Sequence, residues 1–200
     1  MPGAVSARLR HMRLRVLLVA VAALGLATGF AAAANPQPPA ELNKPGRLLM
    51  LRHAQAPGSG DPPGFRLDDC ATQRNLDAAG RAQSVSLGHR LARAGILRAK
   101  VYSSQWCRCL ETARLLGIGQ VEVLPALNSF YPTPAERIPR IKALRDFLAQ
   151  LPTTGEPVIL VTHQFTIAEF TGQGIESGGG SLFQLNGTGS PHWLGALVPE

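Results

Sequence analysis

Two short apolar runs constrain this chain more than any other feature. Arg47-Leu-Leu-Met-Leu51 and Pro157-Val-Ile-Leu-Val-Thr162 each hold four consecutive apolar residues, with no polar residue between them. A strand with one wet face alternates, so an unalternating strand is buried on both faces, which is the condition of a parallel sheet covered by helices. Helical patterns lie where such covers belong. Asp77 to Ala94 carries Ala82, Val85, Leu87, Leu91 and Ala94 as an apolar stripe, with Arg81, Arg90 and Arg93 left to water. Asp77 is placed to cap this helix and Gly95 to stop it. Lys100-Val-Tyr-Ser103 reads as a second strand, Gln105 to Leu116 as a helix ended by Gly117, and Val121 to Leu124 as a third strand. Pro132 to Leu151 reads as a third helix, with Ile138, Ile141, Leu144, Phe147 and Leu148 at helical spacing. Ser181 to Leu185 and Trp193 to Val198 read as edge strands. Strands alternating with helices predict an α/β fold, a three-layer α/β/α sandwich with a mainly parallel sheet.

The ends of the chain have a different character. Arg8, Arg10, Arg13 and Arg15 precede an apolar run from Val16 to Phe30, then Ala31-Ala-Ala-Ala34. A positive start, a short apolar core and small residues define a secretory signal peptide over residues 1–34. The run is short for a membrane span, so no stable anchor is expected after cleavage, and a periplasmic or secreted location follows. Pro-rich residues 35–46 read as a linker, leaving 47–200 as one domain. Without the four arginines of the leader, the 20 Lys+Arg fall to 16 against 13 acids. That mild excess, with no Lys/Arg run, speaks against nucleic-acid binding. Three cysteines remain, and export would let Cys70 pair with Cys107 or Cys109; three buried thiols are the alternative. Cys107-Arg-Cys109 lacks the second ligand pair of a zinc site. Nothing in the sequence sets the oligomeric state.

The chemistry concentrates at strand ends. The two apolar runs lead into Arg52-His53 and into His163. In a parallel sheet such ends share one edge, so both imidazoles can face one pocket although far apart in sequence. Ser103-Ser-Gln-Trp-Cys-Arg108 sets an arginine early in a helix that follows a strand, a natural phosphate site. A lone histidine after a strand is ordinarily structural, and a lone arginine in a first turn is ordinarily solvated; their coincidence carries the signal.

That set resembles the histidine phosphatase superfamily, which includes the cofactor-dependent phosphoglycerate mutases. Arg52-His53-Ala54 stands for its Arg-His-Gly opening, Ser103-Ser104 with Arg108 and Glu111-Thr112-Ala113 for its middle motif, and His163 for its late histidine. Asn75-Leu-Asp-Ala-Ala-Gly80-Arg-Ala-Gln83 is similar to the family's segment before the second strand. The resemblance runs from about Arg47 to Leu185 and implies a phosphoglycerate mutase-like fold. It also implies that His53 is the nucleophile, that Arg52 and Arg108 hold the phosphoryl oxygens, and that His163 donates to them in the transition state. Two guanidiniums and His163 supply the positive field, so no metal or cofactor is expected. The implied partner is a phosphorylated small molecule or envelope component.

The chain departs from the family pattern in three places. Ala54 replaces Gly. The Glu of a Leu-Asn-Glu stretch is Ser129 here, and the Asp that some members place after the second histidine is Gln164. No usual general acid is therefore present, which favours stable leaving groups such as acyl phosphates, phosphoramidates or acidic alcohols; a non-catalytic phosphate-binding protein is the alternative. Asp68, Asp69, Glu169 and Glu176 are acid candidates by elimination, each better read as a surface residue. Arg74 either reaches the substrate or serves as a cap or ion-pair partner. Glu111 is read as orienting Arg108 or capping its helix. Trp106 and Phe65 are read as core, His89 and His192 as exposed, and Gly178-Gly-Gly180 as a flexible turn.

Overall fold

The computed structural model describes residues 35–197. The signal-peptide reading of residues 1–34 lies outside them. Six strands form one sheet: β1 (Arg47–Arg52), β2 (Lys100–Ser103), β3 (Val121–Val123), β4 (Val158–Thr162), β5 (Gly180–Gln184) and β6 (His192–Leu197). Their order across the sheet is β3-β2-β4-β1-β5-β6. The pairs β3–β2, β2–β4 and β4–β1 are parallel, while β1–β5 and β5–β6 are antiparallel.

The two apolar runs lie side by side at the centre. Leu49, Leu51, Ile159 and Val161 point into one core cluster, and Leu48, Met50, Val158 and Leu160 into the other. Helices α1 (Ala78–Arg93) and α2 (Cys107–Leu115) cover the first face through Leu87, Leu91, Cys109 and Ala113. Helices α3 (Arg137–Gln150) and α4 (Gln164–Thr171) cover the second through Leu144, Leu148 and Ile167. Two cores on opposite faces are the three layers expected from unalternating strands.

Several expectations change. Residues 35–46 are not a bare linker. Gln37 N–H donates to the Ala196 carbonyl at 2.8 Å, Pro39–Asn43 form a 3-10 turn, and Leu42 is fully buried in the first core. Ser181 to Leu185 is not an edge, because β5 lies between β1 and β6. Ile138, expected on the buried stripe of α3, is 76% exposed, since α3 begins only at Arg137 after a separate turn at Pro134–Glu136. Helix α4 was not anticipated; with Thr166 and Ile167 as its buried residues, its stripe is too short to show as periodicity.

Helix α1 starts as expected, with Asp77 Oδ1 accepting the Gly80 N–H at 2.7 Å. Its buried face is rotated, however: Gly80, Ser84, Leu87, Gly88 and Leu91 are buried while Ala82 is exposed. Backbone proximity explains the rotation. A Cβ on Gly80 would lie 2.0 Å from the Gln55 carbonyl oxygen, and one on Gly88 would lie 2.2 Å from that of Leu116. Only glycine lets the helix seat there. Gly88→Ala should therefore destabilise the protein by about 1–3 kcal/mol, against a helix propensity that favours alanine by about 1 kcal/mol. Chemical denaturation measures this, and a more stable variant would contradict the close seating.

Candidate active site

The register of β1 and β4 builds the site. Arg52 lies opposite Thr162, so His53 and His163 leave the sheet together. The His53 N–H donates to the Thr162 carbonyl at 3.0 Å, and the imidazole centroids are 5.5 Å apart. On the other side of β4, the Ser104 N–H donates to the Val161 carbonyl at 3.0 Å, which carries the chain into α2 with Arg108 in its first turn. A pocket of about 470 Å³ opens over this edge. Arg52, His53, Arg74, Arg108 and His163 all line it, so every site residue expected from sequence is brought together. Arg74 enters from the loop after β1.

His53 is 3% exposed, and its Nδ1 lies 2.8 Å from the Ala54 carbonyl oxygen. A carbonyl only accepts, so the proton resides on Nδ1 and the lone pair on Nε2. Arg108 Nε–H donates to that Nε2 at 3.3 Å. Burial pushes the imidazole down from 6.5 to about 3, helped by the charges of Arg108, Arg52 and Arg74. His163 is driven well below its ordinary value, first by burial and then by His53 and the same guanidiniums. Its Nε2 lies 3.0 Å from Ser104 Oγ, and the Trp106 ring packs edge-on to it at 5.2 Å. Asn128 braces this wall, its Oδ1 accepting from Ser104 Oγ at 3.2 Å and from the Gln105 N–H at 2.8 Å.

Arg108 is held by a residue that the sequence reading missed. Nη1 and Nη2 donate to Asp61 Oδ1 and Oδ2 at 2.8 and 3.3 Å, and Nη1 also donates to the Arg74 carbonyl at 3.2 Å. The far end of the guanidinium is thus occupied, and its Nε edge is turned toward His53. Asp61 also accepts from Trp106 Nε1 at 2.9 Å and from the Arg74 N–H at 3.0 Å. Burial acts to raise its carboxyl, but the hydrogen bonds from Arg108, Trp106 and Arg74 outweigh it and hold the group below the usual range. Asp61 is the carboxylate of this pocket, and it is ionised and bonded. Its setting, Gly60-Asp61-Pro62, reads in sequence only as a turn.

The other arginines are also anchored. Arg52 Nη1 donates to the Ile175 carbonyl at 2.7 Å, while its Nε is buried without a partner. Arg74 Nε donates to the Gly60 carbonyl at 2.9 Å, and Nη1 to that of Ala56. Burial, then the charge of Arg108, lowers the proton affinity of both.

Cys70 and Cys107 form a disulfide that ties the loop to the residue before Arg108, and Cys109 is a buried free thiol pushed up to about 12 by burial. Glu111 does not orient Arg108; it pairs with Arg81 at 2.6 Å. The acid candidates stand away from the pocket lining: Asp68 and Asp69 against Arg66, Glu169 against Arg137, Glu176 exposed. Ala54 is accommodated, buried beside Ala56 and Leu76, with its N–H donating to Thr112 Oγ1 at 3.0 Å. Trp106 is buried yet also serves Asp61, and Phe65 lines the pocket. The glycine turn is packed rather than open: Gly178 N–H donates to the His53 carbonyl at 3.1 Å.

The model of the histidine phosphatase superfamily, branch 1, matches residues 48–131, which carry β1, His53, Asp61 and Arg108. Over those residues the chain is similar to the histidine phosphatase superfamily. Among solved structures, SixA from Agrobacterium tumefaciens shares 20% identity at a TM-score of 0.55, covering 78% of this chain and 100% of its own. The mycobacterial glucosyl-3-phosphoglycerate phosphatase in complex with VO3 shares 19% at 0.54, covering 74% and 96%. The protein histidine phosphatase SixA complexed with tungstate shares 16% at 0.53, covering 76% and 97%. At these identities the likeness is one of fold, and it confirms the phosphoglycerate mutase-like architecture. No curated protein sequence matches the chain. The family match supports phosphatase chemistry in the general sense.

The buried imidazoles set a dependence on pH. Between about 6.5 and about 3 the unfolded chain holds a proton on His53 that the folded chain excludes. Stability must therefore fall as pH is lowered through that window, and His163 adds to the slope. The His53 ring signals in an NMR titration should stay unchanged from pH 8 to 5; a titration centred near 6.5 would contradict the buried neutral form.

Proposed function

We propose that this protein is an exported phosphatase that hydrolyses a phosphorylated small molecule or envelope component through a phosphohistidine on His53. One observation carries the reading: a buried imidazole, proton held on Nδ1, presents its Nε2 lone pair to a pocket that also receives Arg52, Arg74, Arg108 and His163. At neutral pH this nitrogen needs no base to remove a proton. It attacks phosphorus as the bond to the leaving oxygen breaks, and the electron pair departs on that oxygen. As the Nε2–P bond forms, Arg108 Nε–H is released from His53 to a phosphoryl oxygen, and Arg52 compensates the remaining charge. Water then attacks phosphorus, the P–N bond breaks, and the lone pair returns to Nε2.

His163 is neutral and its single N–H rests on Ser104 Oγ; its role as a donor to the phosphoryl group requires that N–H to pass from Ser104 to a phosphoryl oxygen. Asp61 is a positioning residue: it fixes the far end of Arg108 so that the Nε edge meets the transferring group. Two features support export, the leader-like composition of residues 1–34 and the Cys70–Cys107 disulfide, a bond that persists in oxidising compartments. Ser129 and Gln164 favour a second reading, a phosphate-binding protein without turnover, since both line the pocket where an acid is expected.

Hydrolysis of p-nitrophenyl phosphate tests the two readings, because its leaving group departs without a protein acid. His53→Ala should reduce turnover by on the order of 10³-fold or more, and Arg108→Ala should reduce kcat/KM by about 10²–10³-fold. Asp61→Ala should lower kcat/KM by up to about 10²-fold through a loosened Arg108, with Asp61→Asn intermediate. Phosphate binding with no His53-dependent turnover would select the second reading.

A further inference from the structure

The most exposed large side chains of the pocket lining are aromatic and uncharged. Tyr131, from the loop after β3, and Phe165, the second residue of α4, stack with planes 2° apart and centroids 5.4 Å apart. They are 57% and 45% exposed, and they are two of five exposed large hydrophobic residues among those described. Side chains of this size held parallel at the mouth of a polar pocket form an apolar surface that no described residue covers. Phe65 continues the apolar lining.

The floor has a matching charge. Three guanidiniums less the Asp61 carboxylate leave two positive charges, those of one phosphoryl dianion. Among the described residues no other cationic side chain lines the pocket, so a second phosphate or a carboxylate on the leaving group would find no partner there. Ser129 and Gln164, beside the rim, offer hydrogen bonds but no acidic proton.

We propose that the substrate is an aryl phosphate monoester, its ring laid against the Tyr131–Phe165 pair and its phosphoryl group on His53. This rests on the phosphatase reading and names its substrate class. The Nε2–P bond forms as the ester P–O bond breaks, the electron pair leaves on a phenolate, and the phenolate takes its proton from water. Water then splits the P–N bond and releases inorganic phosphate. A phenolate is stable enough to depart without a protein acid, whereas an alkoxide is not. The absent carboxylate and the aromatic rim thus describe one leaving group.

The test is inhibition of p-nitrophenyl phosphate hydrolysis by benzylphosphonate and by cyclohexylmethylphosphonate, equal in charge and differing in ring planarity. The ratio of the two inhibition constants is taken within each protein, so general damage to the pocket cancels. The wild type should favour the benzyl compound by about fivefold, the size of one aromatic contact, and Tyr131→Leu and Phe165→Leu should bring the ratio toward one. A wild-type ratio of one, with His53-dependent hydrolysis intact, overturns the aryl assignment and leaves the phosphatase reading standing. Absence of His53-dependent hydrolysis overturns both. A free aryl phosphate and a tyrosine-phosphate peptide present the same ring; equal kcat/KM assigns the rim to small molecules, and a peptide advantage of tenfold or more assigns it to protein.

Discussion

The pairing of β1 with β4 is the constraint on which the rest depends. Both strands are buried on both faces, so each inward side chain has a fixed neighbour, from Leu48 beside Val158 to Arg52 beside Thr162. A one-residue slip of β1 against β4 would turn β1 over: Leu49 would face the helices that now receive Leu48. Packing on two faces therefore fixes register, and register sets His53 and His163 side by side. The distance between the imidazoles is thus set by aliphatic residues that never touch the pocket.

Bringing these groups together has an electrostatic consequence. Three guanidiniums and two imidazoles share a partly closed space, and further positive charge there is unfavourable. Burial first, and these charges second, keep the imidazoles neutral, which makes His53 a nucleophile and leaves His163 uncharged. The guanidiniums cannot lose their protons, so they are stabilised by acceptors: Ile175 for Arg52, Gly60 and Ala56 for Arg74, Asp61 for Arg108. Asp61 and Arg108 are each only 4% exposed, a pair whose desolvation is offset because Trp106 and the Arg74 backbone supply further hydrogen bonds. Removing Asp61 alone would leave a buried cation without its counter-charge, which makes its role one of geometry and field together.

The sequence showed what depends on local pattern. Unalternating runs revealed the central strands, a cap and a glycine bounded α1, and residues at strand ends marked His53, His163 and Arg108. It concealed what depends on long-range approach. The roll of α1 is decided by Gln55 and Leu116, which no periodicity of the helix itself records. Leu42 reads as part of a polar, proline-rich segment because the contacts of its turn are with β1 and α1, distant in sequence. Asp61 sits among turn residues, and only the folded loop shows that its carboxylate faces Arg108. The choice of Cys107 over Cys109 as the partner of Cys70 likewise follows from helix geometry: Cys109 is turned into the core beside Thr162 and His163.

The loop after β1 resolves the puzzle that its composition poses. Its glycines and prolines suggest mobility, yet the segment supplies a site residue and must be placed accurately. Four ties hold it: the Cys70–Cys107 bond, the Asp61–Arg108 pair, the hydrogen bonds of Arg74 back to Gly60 and Ala56, and the Cys107 N–H donated to Gln73 Oε1 at 3.0 Å. Three of them end at two consecutive residues, Cys107 and Arg108, in the first turn of α2. The loop and the phosphate-facing arginine are therefore fixed to each other as well as to the sheet. Turn residues let the chain bend around the pocket, and the cross-links remove the freedom that those residues would otherwise leave. A site assembled this way can keep Arg108 aimed at His53 without a lysine or a further carboxylate in the wall, which leaves the aromatic rim to contact the leaving group.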